Sequence, residues 1–78
     1  MKVTIIGSGC ATCERLHSMV KALVESGKVN ARIEYLKDVN ELIKRGIMGS
    51  PALLVDDKVV NVGMPDSSET LLELINGR

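Results

Sequence analysis

The chain contains 78 residues, of which 45% are hydrophobic and 26% are charged, and its ten basic and ten acidic side chains cancel. This composition is typical of one globular domain, spanning residues 1–78, and we expect a monomer. The charges are scattered and the apolar runs are only a few residues long. Neither a basic face for nucleic acid nor a membrane span of about 20 apolar residues is therefore expected.

The first half of the chain predicts two strands and two helices. Residues 3–6 are mostly β-branched and precede a glycine-containing turn, which is typical of a buried strand. The apolar positions that follow have helical spacing: Cys13, Leu16, Val20, Leu23 and Val24. Alternation over residues 30–36 predicts a second strand. Asp38 and Asn40 are candidate caps for a second helix, which carries Val39, Leu42 and Ile43.

The second half predicts a hairpin and a final helix. Residues 52–55 and 59–62 are apolar except for Asn61, and they flank the polar turn 56–58. Asp66 is the expected N-cap of the last helix, which ends at Gly77. The order is thus β-α-β-α-β-β-α. Each strand–helix–strand unit is expected to be parallel, with the hairpin as an antiparallel edge. The predicted fold is α/β, with a mixed four-stranded sheet and three helices.

Cys10 and Cys13 are the only cysteines, and they lie within four residues of each other. A secreted protein of this length usually carries several cysteines as cross-links. The run before Gly7 is also shorter than the apolar region of a signal peptide. The sequence therefore predicts a cytoplasmic protein. A disulfide between such close residues stabilises a fold little, so we expect the pair to have a chemical role.

The position of the two cysteines predicts a different role for each. Residues three apart on a helix share one face, within the range that a disulfide can bridge. Cys10 directly follows Gly-Ser-Gly, so it is expected at the helix start, where backbone N–H groups and the helix dipole favour a thiolate. Cys13 lies one turn deeper. We interpret Cys10 as the attacking thiolate and Cys13 as the resolving thiol. The alternative is two ordinary buried residues.

Four features of the chain belong together: the first strand, residues 7–13 (Gly-Ser-Gly-Cys-Ala-Thr-Cys), the element order and residues 49–51 (Gly-Ser-Pro). In this combination the chain resembles the thioredoxin/glutaredoxin superfamily. The resemblance is closest to its short archaeal and bacterial redox-active disulfide proteins. It implies a thioredoxin-like fold and a thiol–disulfide oxidoreductase or electron relay, with no cofactor beyond the Cys10–Cys13 disulfide. Implied partners are a disulfide-containing protein or small molecule as substrate and a dithiol reductase as electron donor.

The resemblance also implies a substrate site at Ser50 and Pro51. The peptide bond between them is expected to be cis and to face the dithiol, with the Ser50 backbone pairing with the substrate. The alternative is a trans proline that opens an edge strand. The chain departs from the better-known patterns at Gly9, where thioredoxins have Trp, and between the cysteines, where it has Ala-Thr. The electron donor therefore does not follow from the resemblance.

Two further features have more than one interpretation. His17 follows Cys13 by four residues and can share its helical face, but no fourth metal ligand is evident and a solvated histidine is expected. Residues 63–67 loosely resemble the stretch by which glutaredoxins hold glutathione, although the capping role of Asp66 explains them better. Met48 and Met64 either flank the dithiol as an apolar rim or pack elsewhere.

The alternative function is a soft-metal carrier, because such domains also place C-x-x-C between a first strand and a first helix, and two thiolates suit Cu(I). Three features disfavour it. Ser8 stands where that family usually has Met, the family has no use for Pro51, and its order β-α-β-β-α-β ends on a strand. We therefore favour the redox hypothesis and predict no resident metal.

Overall fold

The computed structural model describes residues 1–77. Its elements follow in the predicted order: β1 (Lys2–Ile6), α1 (Ala11–Glu25), β2 (Arg32–Leu36), α2 (Val39–Lys44), β3 (Ala52–Val55), β4 (Lys58–Val62) and α3 (Ser68–Asn76). The predicted α/β class, with a mixed four-stranded sheet and three helices, is confirmed. The predicted single domain includes residue 78, which lies outside the described residues, and it stays a prediction.

The strands lie in the order β2-β1-β3-β4. The pair β1–β2 is parallel, as predicted, whereas β3 runs antiparallel to β1. The expectation of parallel strands for the β2-α2-β3 unit is therefore wrong. α2 has six residues and a rise of about 9 Å, which is shorter than a five-residue strand of about 17 Å. The chain therefore starts β3 at the sheet edge where β2 ended, and Ala52 pairs with Ile6.

The two faces of the sheet bury separate clusters, because successive residues of a strand point to opposite faces. Val3 and Ile5 of β1 face α1 and α3, in a larger cluster completed by Leu16, Val20, Leu23, Val29, Leu53, Leu71 and Ile75. Ile6 contributes to a smaller cluster with Leu42, Ala52 and Leu54. Leu42 is the one buried residue of α2. Val39 and Ile43, the other apolar residues predicted for this helix, are 45% and 73% exposed.

Three local features differ from the sequence prediction. The strand predicted over 30–36 begins two residues later, at Arg32. The hairpin turn is Asp56–Asp57, both with positive φ, and Lys58 already belongs to β4; this is the backbone that a two-residue hairpin requires. The N-cap of α3 is Ser67 and not Asp66, since the Thr70 N–H donates to Ser67 Oγ at 3.2 Å.

Candidate active site

The site lies at the sheet edge where β1 ends and α1 begins. Cys10 is the N-cap of α1, with extended backbone angles (φ −71°, ψ 172°), as the sequence predicted. Cys13 lies in the first turn. Their Sγ atoms are 3.0 Å apart and both thiols are free. Cys10 is exposed and Cys13 is fully buried, so a molecule arriving from solvent meets Cys10 first.

Gly7 provides the space for the buried sulfur. A β-carbon built on Gly7 would overlap Cys13 Sγ and would lie 3.7 Å from Pro51 Cβ. The Gly7 N–H donates to the Leu36 carbonyl at 3.0 Å, which holds this turn against the end of β2. The absence of a side chain at residue 7 thus lets Cys13 and Pro51 approach the same backbone turn.

The pKa of Cys10 is lowered to about 7. The largest cause is the hydrogen bond with the Cys13 thiol, followed by the Cys13 backbone N–H. Smaller contributions come from the Ser8 side chain and the Thr12 backbone, while partial desolvation acts in the opposite direction. The predicted lowering at the start of the helix is therefore confirmed. The neighbouring thiol contributes more than the backbone groups from which the prediction was argued.

Ser50 and Pro51 lie where β3 begins. The bond between them is cis, as predicted. Pro51 is buried, and its carbonyl accepts from the Gly63 N–H at 2.7 Å, whereas Ser50 is exposed. The antiparallel direction of β3 brings Pro51 to the dithiol. The role of both residues in binding substrate stays a prediction.

A packed polar cluster, here called the β2 flank, lies beside the dithiol and consists of Glu14, His17, Tyr35 and Lys37. The His17 and Tyr35 ring centroids are 4.7 Å apart. Lys37 Nζ lies 5.3 Å from the Tyr35 ring centroid and 3.4 Å from Glu14 Oε1. The expectation of a solvated His17 is wrong, because this packing leaves the residue half-buried.

The Tyr35 hydroxyl is buried and makes no hydrogen bond of good geometry within residues 1–77, although the Glu14 side chain lies near enough to interact with it. Burial raises the pKa of Tyr35, and the negative charge of Glu14 raises it further. Sequence reasoning missed this flank, because it joins residues of α1 to residues at the end of β2. The alternation that placed Tyr35 in a strand was a signal for its burial but not for its neighbours.

A groove of about 320 Å³ opens on another side of α1 and is lined by Ala11, Thr12, Arg15 and Met64. We call it the Arg15 groove. Ala11 and Thr12 are the residues between the two cysteines, so the groove adjoins Cys10. The interpretation of Met64 as part of a rim fits this position, and Met48 is 93% exposed. Sequence reasoning did not single out Arg15.

Within residues 1–77, no group of three or more His, Cys, Asp and Glu side chains has an arrangement that would hold a metal ion. None of the three helices within that range is long and apolar enough to cross a membrane.

Comparison with known proteins agrees with this fold. A family model described as a thioredoxin domain matches residues 1–76, and the chain therefore belongs to the thioredoxin family. A protein named thioredoxin from Methanothermobacter thermautotrophicus is 28% identical over 76 residues, which cover 97% of this chain and 99% of that protein. A probable thioredoxin from Archaeoglobus fulgidus is 33% identical over 63 residues, covering 77% of this chain and 69% of that protein.

Membership of this family confirms the predicted resemblance and the thioredoxin-like fold. It supports thiol–disulfide oxidoreductase activity in general, with disulfides as substrates and a reductase as partner.

Proposed function

We propose that the reduced protein transfers two electrons from Cys10 and Cys13 to a substrate disulfide. One observation carries the proposal: an exposed thiol with a pKa of about 7 lies 3.0 Å from a buried second thiol. The first property makes Cys10 a nucleophile near neutral pH, because the thiolate is the reactive form. The second supplies a resolving thiol within reach.

The reaction takes place in two exchanges. The Cys10 thiolate attacks one sulfur of the substrate disulfide, so a Cys10–substrate disulfide forms and the other substrate sulfur leaves as a thiolate. Cys13 then loses its proton and attacks Cys10 Sγ. The Cys10–Cys13 disulfide forms, and the second substrate sulfur leaves and takes up a proton. The substrate gains two electrons, and the protein is oxidised to the disulfide. One proton of the product dithiol comes from Cys13, and the thiolate released in the first exchange takes the other from solvent, where Cys10 had released its own proton on ionising.

The remaining parts of the proposal concern the surroundings of this chemistry. Ser50 binds the substrate through its backbone. The exposure of Ser50 beside the buried Pro51 supports this role. A dithiol reductase returns the Cys10–Cys13 disulfide to the dithiol. The protein uses no further cofactor and works in the cytosol, a compartment that keeps thiols reduced.

The test compares the wild type with Cys10→Ser and Cys13→Ser. In buffers of defined dithiothreitol ratio, the wild type should interconvert reversibly between dithiol and disulfide, and it should reduce insulin in catalytic amounts. Cys10→Ser should fall to the background rate. Cys13→Ser should form the mixed disulfide and stop there, so that mass spectrometry detects the substrate attached to Cys10.

The same proteins distinguish the soft-metal hypothesis. A wild type that forms no reversible disulfide, yet binds Cu(I) tightly through two thiolates, would overturn the redox proposal. A Cys13→Ser variant that turns over insulin as fast as the wild type would overturn the assignment of the resolving thiol.

A further inference from the structure

The Arg15 groove is the surface next to the attacking sulfur that the proposed chemistry leaves unassigned. Helical spacing places Arg15 three residues after Thr12 and four after Ala11, so all three side chains lie on neighbouring positions of α1. Met64, from the segment before α3, completes the groove. A substrate whose sulfur reaches Cys10 therefore brings its adjoining residues over these four side chains.

Charge distinguishes this groove from the β2 flank. Among residues 1–77, Arg15 is the only charged residue that lines the groove. Within residues 1–77, no carboxylate lies within salt-bridge distance of its guanidinium, whereas Lys37 is paired with Glu14 at 3.4 Å. The groove thus presents an uncompensated positive charge beside the dithiol, and the β2 flank does not.

The chemistry of the lining indicates what it would bind. A guanidinium presents N–H donors in a fork that matches a carboxylate. The Met64 side chain supplies a flexible apolar contact for the aliphatic part of a long side chain. Thr12 adds a hydroxyl that both donates and accepts. Without Arg15, the Cys10 thiolate would repel a carboxylate that approaches it. The positive charge of Arg15 offsets this repulsion.

We propose that the Arg15 groove selects protein disulfides in which an acidic residue adjoins the cysteine that Cys10 attacks. This inference rests on the proposed function and names the substrate class of the same site. Arg15 binds the Asp or Glu side chain of the substrate, and it takes no part in the thiol exchange itself.

The experiment uses three short peptide disulfides that differ only in the residues flanking cysteine, which are Glu, Gln or Lys, together with oxidised glutathione. The measured quantity is the second-order rate constant for oxidation of the reduced protein at neutral pH and low salt. We expect the Glu peptide to react about two- to fivefold faster than the Lys peptide. This ratio corresponds to the free energy of an exposed ion pair, here the pair between Arg15 and the peptide Glu. Added salt should reduce this ratio because it screens exposed charges.

Variants assign the ratio to Arg15. Arg15→Gln should bring the Glu-to-Lys ratio to one or below, because the thiolate then repels the Glu peptide with nothing to offset it, and Arg15→Lys should keep much of the wild-type ratio because the charge remains. Arg32→Gln is the matched control. Arg32 is also exposed and without an ion pair among residues 1–77, but it begins β2, at the opposite end of the strand from the dithiol. That variant should keep the wild-type ratio.

The outcomes separate this inference from the function beneath it. Equal rates for the three peptides, or an unchanged ratio in Arg15→Gln, would overturn the inference and leave the redox function standing. Dependence on Arg15 that occurs only with oxidised glutathione would also overturn it, since the groove would then serve glutathione. If the wild type reduces none of the four disulfides, the proposed function itself fails.

Discussion

The two sides of the dithiol differ in almost every physical property. The β2 flank is packed: the ring of Tyr35 contacts both His17 and Lys37, and Lys37 is paired with Glu14. The Arg15 groove is open, and its single charge has no partner among residues 1–77. Packed groups contribute to stability, whereas an open, uncompensated charge is free to bind. We therefore expect the β2 flank to contribute to stability, and the Arg15 groove to contribute to the substrate selectivity proposed above.

The largest expected effect is on the packed side. Tyr35→Ala should lower the free energy of unfolding by about 2 to 3 kcal/mol, somewhat less than truncation of a fully buried ring, because Tyr35 is half-buried. Arg15→Ala should change it by no more than about 0.5 kcal/mol. Urea denaturation of the reduced proteins measures both values. Equal losses would remove the distinction between the two flanks.

Tyr35→Phe is the control for the ring itself. The Tyr35 hydroxyl is buried and makes no hydrogen bond of good geometry in the described part of the chain. Removal of the hydroxyl should therefore leave the free energy of unfolding unchanged or raise it by up to about 1 kcal/mol. A loss as large as that of Tyr35→Ala would show that the hydroxyl has a partner that the structure does not reveal.

The second effect concerns Cys10, whose lowered pKa arises mainly from Cys13 and from neither flank. The alkylation rate of Cys10 should rise with pH around a midpoint of about 7. Cys13→Ala should move the midpoint up toward the free-thiol value of about 8.5. Lys37→Gln and Arg15→Gln should leave it near the wild-type value. If Lys37→Gln or Arg15→Gln shifted the alkylation midpoint as much as Cys13→Ala does, Cys13 would not be the main cause of the lowered pKa.

The same lowered pKa links pH to stability. Folding lowers the pKa of Cys10, so its ionisation stabilises the reduced protein fully above the unfolded pKa of about 8.5, and this contribution is lost as the pH falls through about 7. Relative to Cys10→Ser, the reduced wild type should thus gain stability between pH 6 and pH 9. A difference that is independent of pH would contradict the shift.

The smallest effect tests how much the charges of the β2 flank contribute. Lys37→Gln should lower the free energy of unfolding by at most about 1 kcal/mol, because Lys37 and its partner Glu14 are both exposed. Lys21→Gln removes a comparable exposed pair, with Glu25 at 3.9 Å, and is the matched control. Lys37→Gln should cost more, since Lys37 also lies over the Tyr35 ring. Equal costs in urea denaturation would mean that the ring contact contributes nothing.

The sequence predicted those features that depend on neighbouring residues. The elements, the position of Cys10 at the start of α1 and the lowered pKa of Cys10 follow from local patterns and from the known behaviour of helix ends. The cis bond before Pro51 came from the family resemblance and not from the residues alone.

What could not be predicted depends on residues distant in sequence or on small energy differences. The antiparallel direction of β3 depends on how far α2 and its following loop carry the chain. Asp66 and Ser67 are both good N-cap residues. In the fold, Ser67 has the extended backbone angles of an N-cap and its side chain accepts from the helix. The packing of His17 on Tyr35 and the position of Arg15 beside Met64 join different elements, and periodicity carries no information on such contacts.

The start of β3 opposite the end of β1 also has a consequence for how the site can be monitored. Ala52 pairs with Ile6 across 46 positions of the chain, so Pro51 reaches the dithiol only when the sheet is complete. The 15-residue helix that begins after Cys10 would be marginal alone in water. The contacts that lower the pKa of Cys10 come from Ser8, Thr12 and Cys13, around the first turn of this helix, so we expect the lowered pKa to be lost when the chain unfolds. The alkylation rate of Cys10 should thus serve as a built-in reporter of folding, without any added label.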